Sequence, residues 1–370
     1  MNQFKQDNQP VSIALIIPSL TAGGAERVFS ILANALANHY KVTLFILYKC
    51  EIFYELDSQI EVVFCKDYYS PNFNPIKSVV NNFSFIKFLK HEIKARNSQL
   101  ILGFTTTANV YSVIISRRLR IKSVISERIY PEFGINSFWK RVRQFVYPKT
   151  NLLVVQTIPI KTYFNTFVNS DKIQIIENPL SPELISKRKA ENRTNTIISI
   201  GRLDQQKNQD LLLKAFSKLD EDKWKLVIIG EGQLREHYEQ LAKSLKIEKR
   251  VEFTGAIKDV STYLNTGGIF VLSSRFEGFP NVLIEAMYFG MPCIATDCPS
   301  GPSDIIEDGK NGFLIPVEDE DALSKKLDIL IDNEALCESF GENAQKTASR
   351  FETNLIVDKW LNAINSVITN

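Results

Sequence analysis

Three loop segments combine glycine with charged or amide side chains in patterns that suit an anionic, hydroxyl-rich ligand. Ser19-Leu20-Thr21-Ala22-Gly23-Gly24-Ala25-Glu26-Arg27 follows the first apolar run and opens a helix. Gly23 and Gly24 let a ligand approach the backbone, and a helix N-terminus offers N–H groups to an anion. The plainer reading is a tight strand-to-helix turn, and adjacent glycines depart from the GxGxxG spacing of dinucleotide sites. In the second segment, Ile200-Gly201-Arg202-Leu203-Asp204-Gln205-Gln206-Lys207-Asn208, a planar fork and a flexible point charge precede a helix expected near Asn208. That pairing suits a diphosphate, although two cations near a loop are often just solvated.

The third segment, Arg275-Phe276-Glu277-Gly278-Phe279-Pro280-Asn281-Val282-Leu283-Ile284-Glu285-Ala286-Met287, carries the strongest signal. Gly278 and Pro280 mark a turn, and the helix should start at Pro280 or Asn281. Its N–H groups at Asn281 and Val282 could hold phosphate or sugar oxygens. Glu285 lies more than a turn inside an otherwise apolar helix, where a carboxylate is costly to bury without a partner. A ribose, with two adjacent hydroxyl donors, is a suitable one. The plainer readings are a surface glutamate paired with a lysine for Glu285 and an ordinary helix cap for Glu277.

These loops need a scaffold of strands and helices. Valine-, isoleucine- and leucine-rich runs fall at 11–17, 42–48, 60–64, 100–104, 122–126, 152–156 and 173–176, then at 196–200, 225–229, 251–254, 269–272, 293–296 and 313–315. They do not alternate with polar residues, as befits strands buried on both faces by crossover helices. Segments 24–38, 208–219 and 233–246 carry apolar residues at helical spacing, with further helices at 334–349 and 352–369. The alternation predicts an α/β fold of two Rossmann-like, doubly wound parallel-sheet domains, 1–180 and 181–351, divided near Asn178–Pro182 where NPLSP breaks both patterns. Ligands in open α/β sheets bind at the carboxyl ends of the strands, so the cleft between two such domains is where chemistry is expected.

Length and composition agree. The chain has 370 residues, 44% hydrophobic and 23% charged, which excludes a disordered, fibrous or integral membrane protein. No run approaches a membrane span, and no signal peptide is read at the start. Five cysteines without CxxC or CxxH pairing favour a reducing compartment and argue against structural zinc. Net charge is +2, but residues 1–180 hold 21 basic and 12 acidic side chains. Segment 117–149 alone carries nine basic residues against Glu127 and Glu132.

The motifs GGAER, GRLDQQKN, GEGQLR (230–235), EGFPNVLIEAM and TDCPSGPSDIIEDGKNGFLIPVED (296–319), in this order, resemble those of the family 4 glycosyltransferases of the GT-B fold, over about 12 to 350. The resemblance implies retaining transfer of a sugar from a nucleotide donor to an acceptor hydroxyl. It implies that Arg202 and Lys207 grip the donor diphosphate and offset leaving-group charge. Glu285 would bind the ribose and Glu277 the donor sugar, with Gly278, Phe279, Pro280, Asn281 and Val282 forming the sugar-side loop. Gly23 and Gly24 would lie near the diphosphate and acceptor, and the base against the loop around Gly255, Ile257 and Lys258. The final helix, 352–370, would pack back on the first domain. No metal or other cofactor is expected, because these cations take the divalent ion's place.

Many members of the family place a histidine near the donor sugar. The matching stretch here is Val124-Ile125-Ser126-Glu127-Arg128, with arginine at that position, and none of His39, His91 and His237 obviously replaces it. A subset involved in surface-polysaccharide and lipid-linked oligosaccharide assembly has a similar SER sequence, and Glu127 and Arg128 are carried over to the acceptor side on that basis.

Segment 76–96 interleaves Phe83, Phe85, Ile86, Phe88 and Leu89 with Lys77, Lys87, Lys90, Lys94 and Arg96, and 137–149 repeats the mixture with Phe138, Trp139, Lys140, Arg141 and Arg143. Such stretches suit an anionic bilayer or a polyprenyl diphosphate. The plainer reading is ordinary helices, apolar side to the core and basic side to water. The expectation is therefore a cytoplasmic enzyme at the inner face of the membrane, using a nucleotide sugar, with a UDP-linked hexose or N-acetylhexosamine favoured, to extend a lipid-linked glycan. Lys87, Lys90 and Arg141 would serve the acceptor side. A soluble acceptor is the runner-up. A nucleic-acid binder would use the same basic surface but leaves Glu277 and Glu285 unexplained. A dinucleotide oxidoreductase lacks its fingerprint, and a sugar-nucleotide epimerase has a different motif set.

Overall fold

The computed structural model describes residues 10–67, 75–133, 135–189, 191–219 and 223–369, with the backbone alone over 75–80. Lys77 therefore lies outside the described side chains. The first unit runs β1 (Ser12–Ile17), α1 (Gly24–Ala37), β2 (Lys41–Ile46), β3 (Glu61–Phe64), α2 (Pro75–Ala95), β4 (Leu100–Phe104), α3 (Thr106–Leu119), β5 (Lys122–Ser126), α4 (Ser137–Val146), β6 (Leu152–Val155), α5 (Ile158–Asn165) and β7 (Ile173–Ile175). Its seven strands form one parallel sheet in the order β3-β2-β1-β4-β5-β6-β7. Leu15 faces Leu44 on one side and Leu102 on the other.

The second unit contains α6 (Pro182–Lys187), β8 (Thr196–Ile200), α7 (Gln209–Ser217), β9 (Lys225–Ile229), α8 (Arg235–Ser244), β10 (Val251–Gly255), α9 (Ser261–Thr266), β11 (Ile269–Leu272), α10 (Asn281–Tyr288), β12 (Cys293–Thr296), α11 (Pro302–Ile305), β13 (Phe313–Ile315), α12 (Glu320–Ile331) and α13 (Glu334–Ala348). Its six strands are parallel in the order β10-β9-β8-β11-β12-β13. Successive residues of the central strands feed opposite cores. Ile198, Phe270 and Leu272 pack with α10 and α13, whereas Ile197, Ile269 and Val271 pack with α7, α8 and α12. Strands clothed on both faces have no polar side to show, which explains their unbroken apolar runs.

The last helix, α14 (Thr353–Thr369), returns to the first unit. Its Ile356, Trp360, Ala363, Ile364 and Val367 form one helical stripe in that unit's core, together with Leu15, Phe29 and Phe104.

The units divide between Ile176 and Glu177 and between Leu355 and Ile356, not at 180/181 and 351/352. Leu180 explains the shift, because its N–H donates to the Phe351 carbonyl (2.8 Å) and its carbonyl accepts from Thr353 Oγ1 (2.7 Å). Residues 157–160 also count with the second unit, where Thr157 Oγ1 lies 2.8 Å from Ser300 Oγ and the Ile158 N–H donates to Asp304 Oδ1. Among the described residues, no helix is long and apolar enough to cross a membrane.

Candidate active site

The second unit places the loops after β8, β9, β10 and β11 at the carboxyl edge of one sheet, where an open parallel sheet offers its ligand site. Two of these loops are stitched together. The Arg275 N–H donates to the Gln206 carbonyl (2.8 Å), Gln206 Nε2 donates to the Phe276 carbonyl (3.0 Å), and Ser273 Oγ donates to the Lys207 carbonyl (2.8 Å). The result joins two residues far apart in sequence. Lys207 Nζ lies 2.5 Å from Glu277 Oε1, and Ser274 Oγ donates to the same oxygen at 2.6 Å. Both side chains are mostly withdrawn from water.

Glu277 is therefore no helix cap. Pro280 holds the cap position of α10 without a side-chain cap bond, and the Glu277 carboxylate is spent on a cation and a hydroxyl. Ser273, Ser274 and Gln206 were missed in the sequence, where the two serines read only as the end of an apolar strand. Arg202 belongs to the same loop as Lys207 but points outward, pairing with Asp204 (3.2 Å) and Gln206 (3.3 Å). An exposed guanidinium on short polar tethers can swing to an arriving diphosphate at small energetic cost.

α10 starts at Asn281. The Asn281 N–H is taken by the Phe279 carbonyl at 3.0 Å, which corrects the expectation that it stands open to a ligand; the turn at Pro280 closes back on itself. The Asn281 carboxamide is held by Asn178 Nδ2 at 2.7 Å. Gly278 offers its carbonyl to Ser300 Oγ (3.1 Å), Phe279 is buried against Phe351, and Val282 packs at the margin of the core. Glu285 is buried among the apolar residues of α10.

Gly255 ends β10 with φ 79°, and its carbonyl accepts the Gly230 N–H at 2.9 Å. Ile257 packs against the same core as α10. The GEG pair has a steric reason. A Cβ on Gly230 would strike the Gly201 carbonyl, and one on Gly232 would lie 2.7 Å from the Leu203 amide nitrogen. Only glycine lets the loop after β9 pack against the loop carrying Arg202.

In the first unit Gly23 caps α1 in an extended conformation, and Tyr54 both accepts its N–H (3.2 Å) and donates to its carbonyl (2.9 Å). Gly24 is the first residue of α1. Nothing in the sequence near Gly23 pointed to Tyr54.

The SER stretch at the end of β5 turns inward. Glu127 is fully buried and accepts from Thr106 Oγ1 (3.0 Å) and from the Tyr147 hydroxyl (2.8 Å), with Arg143 Nη1 at 3.5 Å. Arg143 is itself fully buried and donates through Nη2 to the Pro131 carbonyl. Burial and the Glu127 carboxylate push the Tyr147 hydroxyl well above its ordinary range. Arg128 lies with its guanidinium 4.2 Å over the Phe104 ring and 5.5 Å over Trp360. Burial lowers its pKa to about 9 despite the neighbouring Glu127 charge. Lys87 and Lys90 on α2 and Arg141 on α4 are exposed.

Similarity to known proteins agrees with this architecture. A family model described as "Glycosyl transferases group 1" matches residues 181–347. A Campylobacter jejuni protein, GalNAc-alpha-(1->4)-GalNAc-alpha-(1->3)-diNAcBac-PP-undecaprenol alpha-1,4-N-acetyl-D-galactosaminyltransferase, is 31% identical over 362 residues, covering 96% of this chain and 99% of the relative. The amylovoran biosynthesis glycosyltransferase AmsD of Erwinia amylovora is 28% identical, covering 93% and 96%. Among solved structures, Anabaena HepE in complex with UDP superposes with a TM-score of 0.80 at 20% identity, covering 96% of this chain and all of that one. With two parallel α/β sheets and an end-to-end relative, the chain belongs to the group 1 glycosyl transferases, family 4 enzymes of the GT-B fold.

Proposed function

We propose that the protein is a retaining, metal-independent glycosyltransferase that moves a hexose or N-acetylhexosamine from a UDP-sugar to a hydroxyl of a polyprenyl-diphosphate-linked glycan in bacterial surface-glycan assembly. The observation that carries the reading is the Lys207–Glu277 contact between the loops after β8 and β11. It puts a lysine and a carboxylate side by side at a sheet edge suited to a nucleotide sugar. The substrate class leans on the likeness to the Campylobacter transferase, whose name specifies an N-acetylgalactosamine and an undecaprenol-linked glycan.

On this reading the arriving diphosphate draws Lys207 Nζ from Glu277, and Arg202 swings in beside it. The bond from the anomeric carbon to the diphosphate oxygen breaks, and a bond to the acceptor oxygen forms on the same face. The acceptor hydroxyl proton passes to the departing diphosphate oxygen, on which negative charge builds as the bond breaks. The two cations stabilise that charge where a metal would otherwise be needed. Glu277, freed of Lys207 but still held by Ser274, receives a sugar hydroxyl. Glu285 binds the ribose hydroxyls, Gly255 and Ile257 flank the base, and 278–282 shape the sugar pocket. Gly23 and Gly24 serve the acceptor from the first unit. On the acceptor side Arg128 and Glu127 act as positioning residues: Arg128 is buried over Phe104 and Trp360, and Glu127 orients the SER turn through Thr106, Tyr147 and Arg143. Lys87, Lys90 and Arg141 face the lipid diphosphate and the membrane, so the enzyme works peripherally at the inner face of the cytoplasmic membrane.

The test is transfer from labelled UDP-sugars to polyprenyl-diphosphate glycans in the presence of chelator. The anomeric configuration of the product is read by proton NMR. An α-linked product formed from an α-linked donor in chelator is expected. An inverted product, or activity abolished by chelator and restored by a divalent ion, would contradict the reading.

A further inference from the structure

The strand end and loop from Thr296 to Gly301, between β12 and α11, hold the arc from Ser274 to Pro280 at three points. β11 and β12 pair in register as far as Leu272 and Ala295. Beyond that pair the Thr296 hydroxyl takes over from the backbone ladder, donating to the Ser274 carbonyl at 2.5 Å. Ser274 in turn holds Glu277 Oε1 through its own Oγ (2.6 Å). Further along the loop, Ser300 Oγ donates to the Gly278 carbonyl at 3.1 Å. A serine hydroxyl has one proton, so giving it to Gly278 leaves the Ser300 oxygen to accept from Thr157 Oγ1, 2.8 Å away. Gly301 follows with φ 97°, a region that favours glycine, and a Cβ there would lie 2.5 Å from Pro280 Cδ. The loop can therefore lie against the turn that opens α10.

Burial makes these bonds count. Ser274, Thr296 and Ser300 are all fully buried, where a donor or acceptor left unmatched is costly and water offers no replacement. Cys298, between the two hydroxyls, brings no competing charge, since burial and the Glu277 carboxylate push its thiol up to about 12. The two carbonyls that are held lie on either side of Glu277 in the chain. The backbone that carries this carboxylate is thus fixed from both sides by hydroxyls of a neighbouring strand and loop. A group that must meet a reacting sugar needs such support, because its own loop has no strand partner to set its position.

We propose that Thr296 and Ser300 are positioning residues for sugar transfer, holding the Glu277 carboxylate and the sugar-side turn through the carbonyls of Ser274 and Gly278. This rests on the transferase reading and adds to it the contacts that serve the sugar rather than the nucleotide. Among the described residues neither hydroxyl bonds to Lys207 or Arg202, so the grip on a diphosphate should survive the loss of either one.

The test measures transfer to a polyprenyl-diphosphate glycan by wild type, Thr296→Val, Thr296→Ser and Ser300→Ala, using the UDP-hexose or UDP-N-acetylhexosamine that wild type accepts. The Kd for UDP and the melting temperature are read on the same samples. Thr296→Val keeps the side-chain shape without the hydroxyl, and Ser300→Ala removes one oxygen. Each should lower kcat by roughly tenfold to a hundredfold, the effect of slightly misplacing a group that meets the substrate, while the Kd for UDP stays within about twofold of wild type. Thr296→Ser, which retains the hydroxyl, should recover most of the lost kcat. If Thr296→Val does not fold, Ser300→Ala decides alone. Wild-type kcat in the hydroxyl-less variants, or a Kd for UDP that rises in step with the loss of kcat, would overturn the proposal and leave the transferase reading in place. A wild type that transfers sugar from no UDP-sugar would overturn the transferase reading, and this role with it.

Discussion

Lys207 Nζ and Glu277 Oε1 lie 2.5 Å apart although 70 residues separate them, and Ser274 Oγ shares the same carboxylate oxygen. Before a donor arrives the lysine is already fixed by an anion, so part of the cost of ordering its long side chain has been met in folding. A diphosphate, with more charge and more acceptor oxygens than one carboxylate, competes for the ammonium and leaves Glu277 available to the sugar.

Lys207→Met should lower kcat/KM for the UDP-sugar by about two to three orders of magnitude, the usual effect of removing one group that stabilises transition-state charge. Lys207→Arg should restore little, because a planar fork cannot reproduce a point contact beside Ser274. Single-turnover kinetics with saturating acceptor check both.

Glu277→Gln separates binding from chemistry. It removes the anion that competes for Lys207 but keeps an acceptor for Ser274. UDP should bind at least as tightly as to wild type in calorimetry, while kcat falls by roughly tenfold or more. A matched loss of UDP affinity and kcat would show that Glu277 serves the nucleotide rather than the sugar.

Gly232→Ala should destabilise the protein and weaken UDP binding together. The added Cβ would lie 2.7 Å from the Leu203 backbone nitrogen, so the loop carrying Arg202 must shift. A lower melting temperature with an unchanged UDP Kd would contradict this link.

Tyr147→Phe removes a buried donor to Glu127 and should cost about 1–3 kcal/mol near neutral pH. The wild-type hydroxyl has its pKa raised in the fold by burial and by Glu127. A raised folded value means that its contribution is fully present below the unfolded value of about 10 and is lost as pH rises through the folded value. The stability gap between the two proteins should therefore narrow above about pH 10 in denaturant titrations, and a gap that widens there would refute the assignment.

Much of the architecture was legible in the sequence. All thirteen apolar runs are strands, because buried parallel strands leave no polar face to blur the signal. The start of α10 was legible for a similar reason, since Pro280 and Gly278 punctuate it locally. Long-range pairings were not. Nothing local to Glu127 names Arg143, which reaches it from the next helix, and nothing near Gly23 names Tyr54. The interleaved Phe and Arg of α4 were visible, but which of them faced inward depended on Glu127. The division at Ile176 falls two residues before the Asn178–Pro182 break, because Leu180 donates to the Phe351 carbonyl and accepts from Thr353 Oγ1, far along the chain, within the second unit.

We propose that the second unit holds a nucleotide-sugar site around Lys207, Glu277 and Glu285. Thermal unfolding of wild type and Glu285→Ala with a panel of UDP-sugars tests it most directly. A ligand bound only to the folded state adds about 2.7 kcal/mol at a hundred times its Kd. At least one UDP-sugar should raise the wild-type melting temperature, and the rise should be lost in Glu285→Ala. No rise in wild type at millimolar ligand, or an equal rise in both proteins, would contradict it.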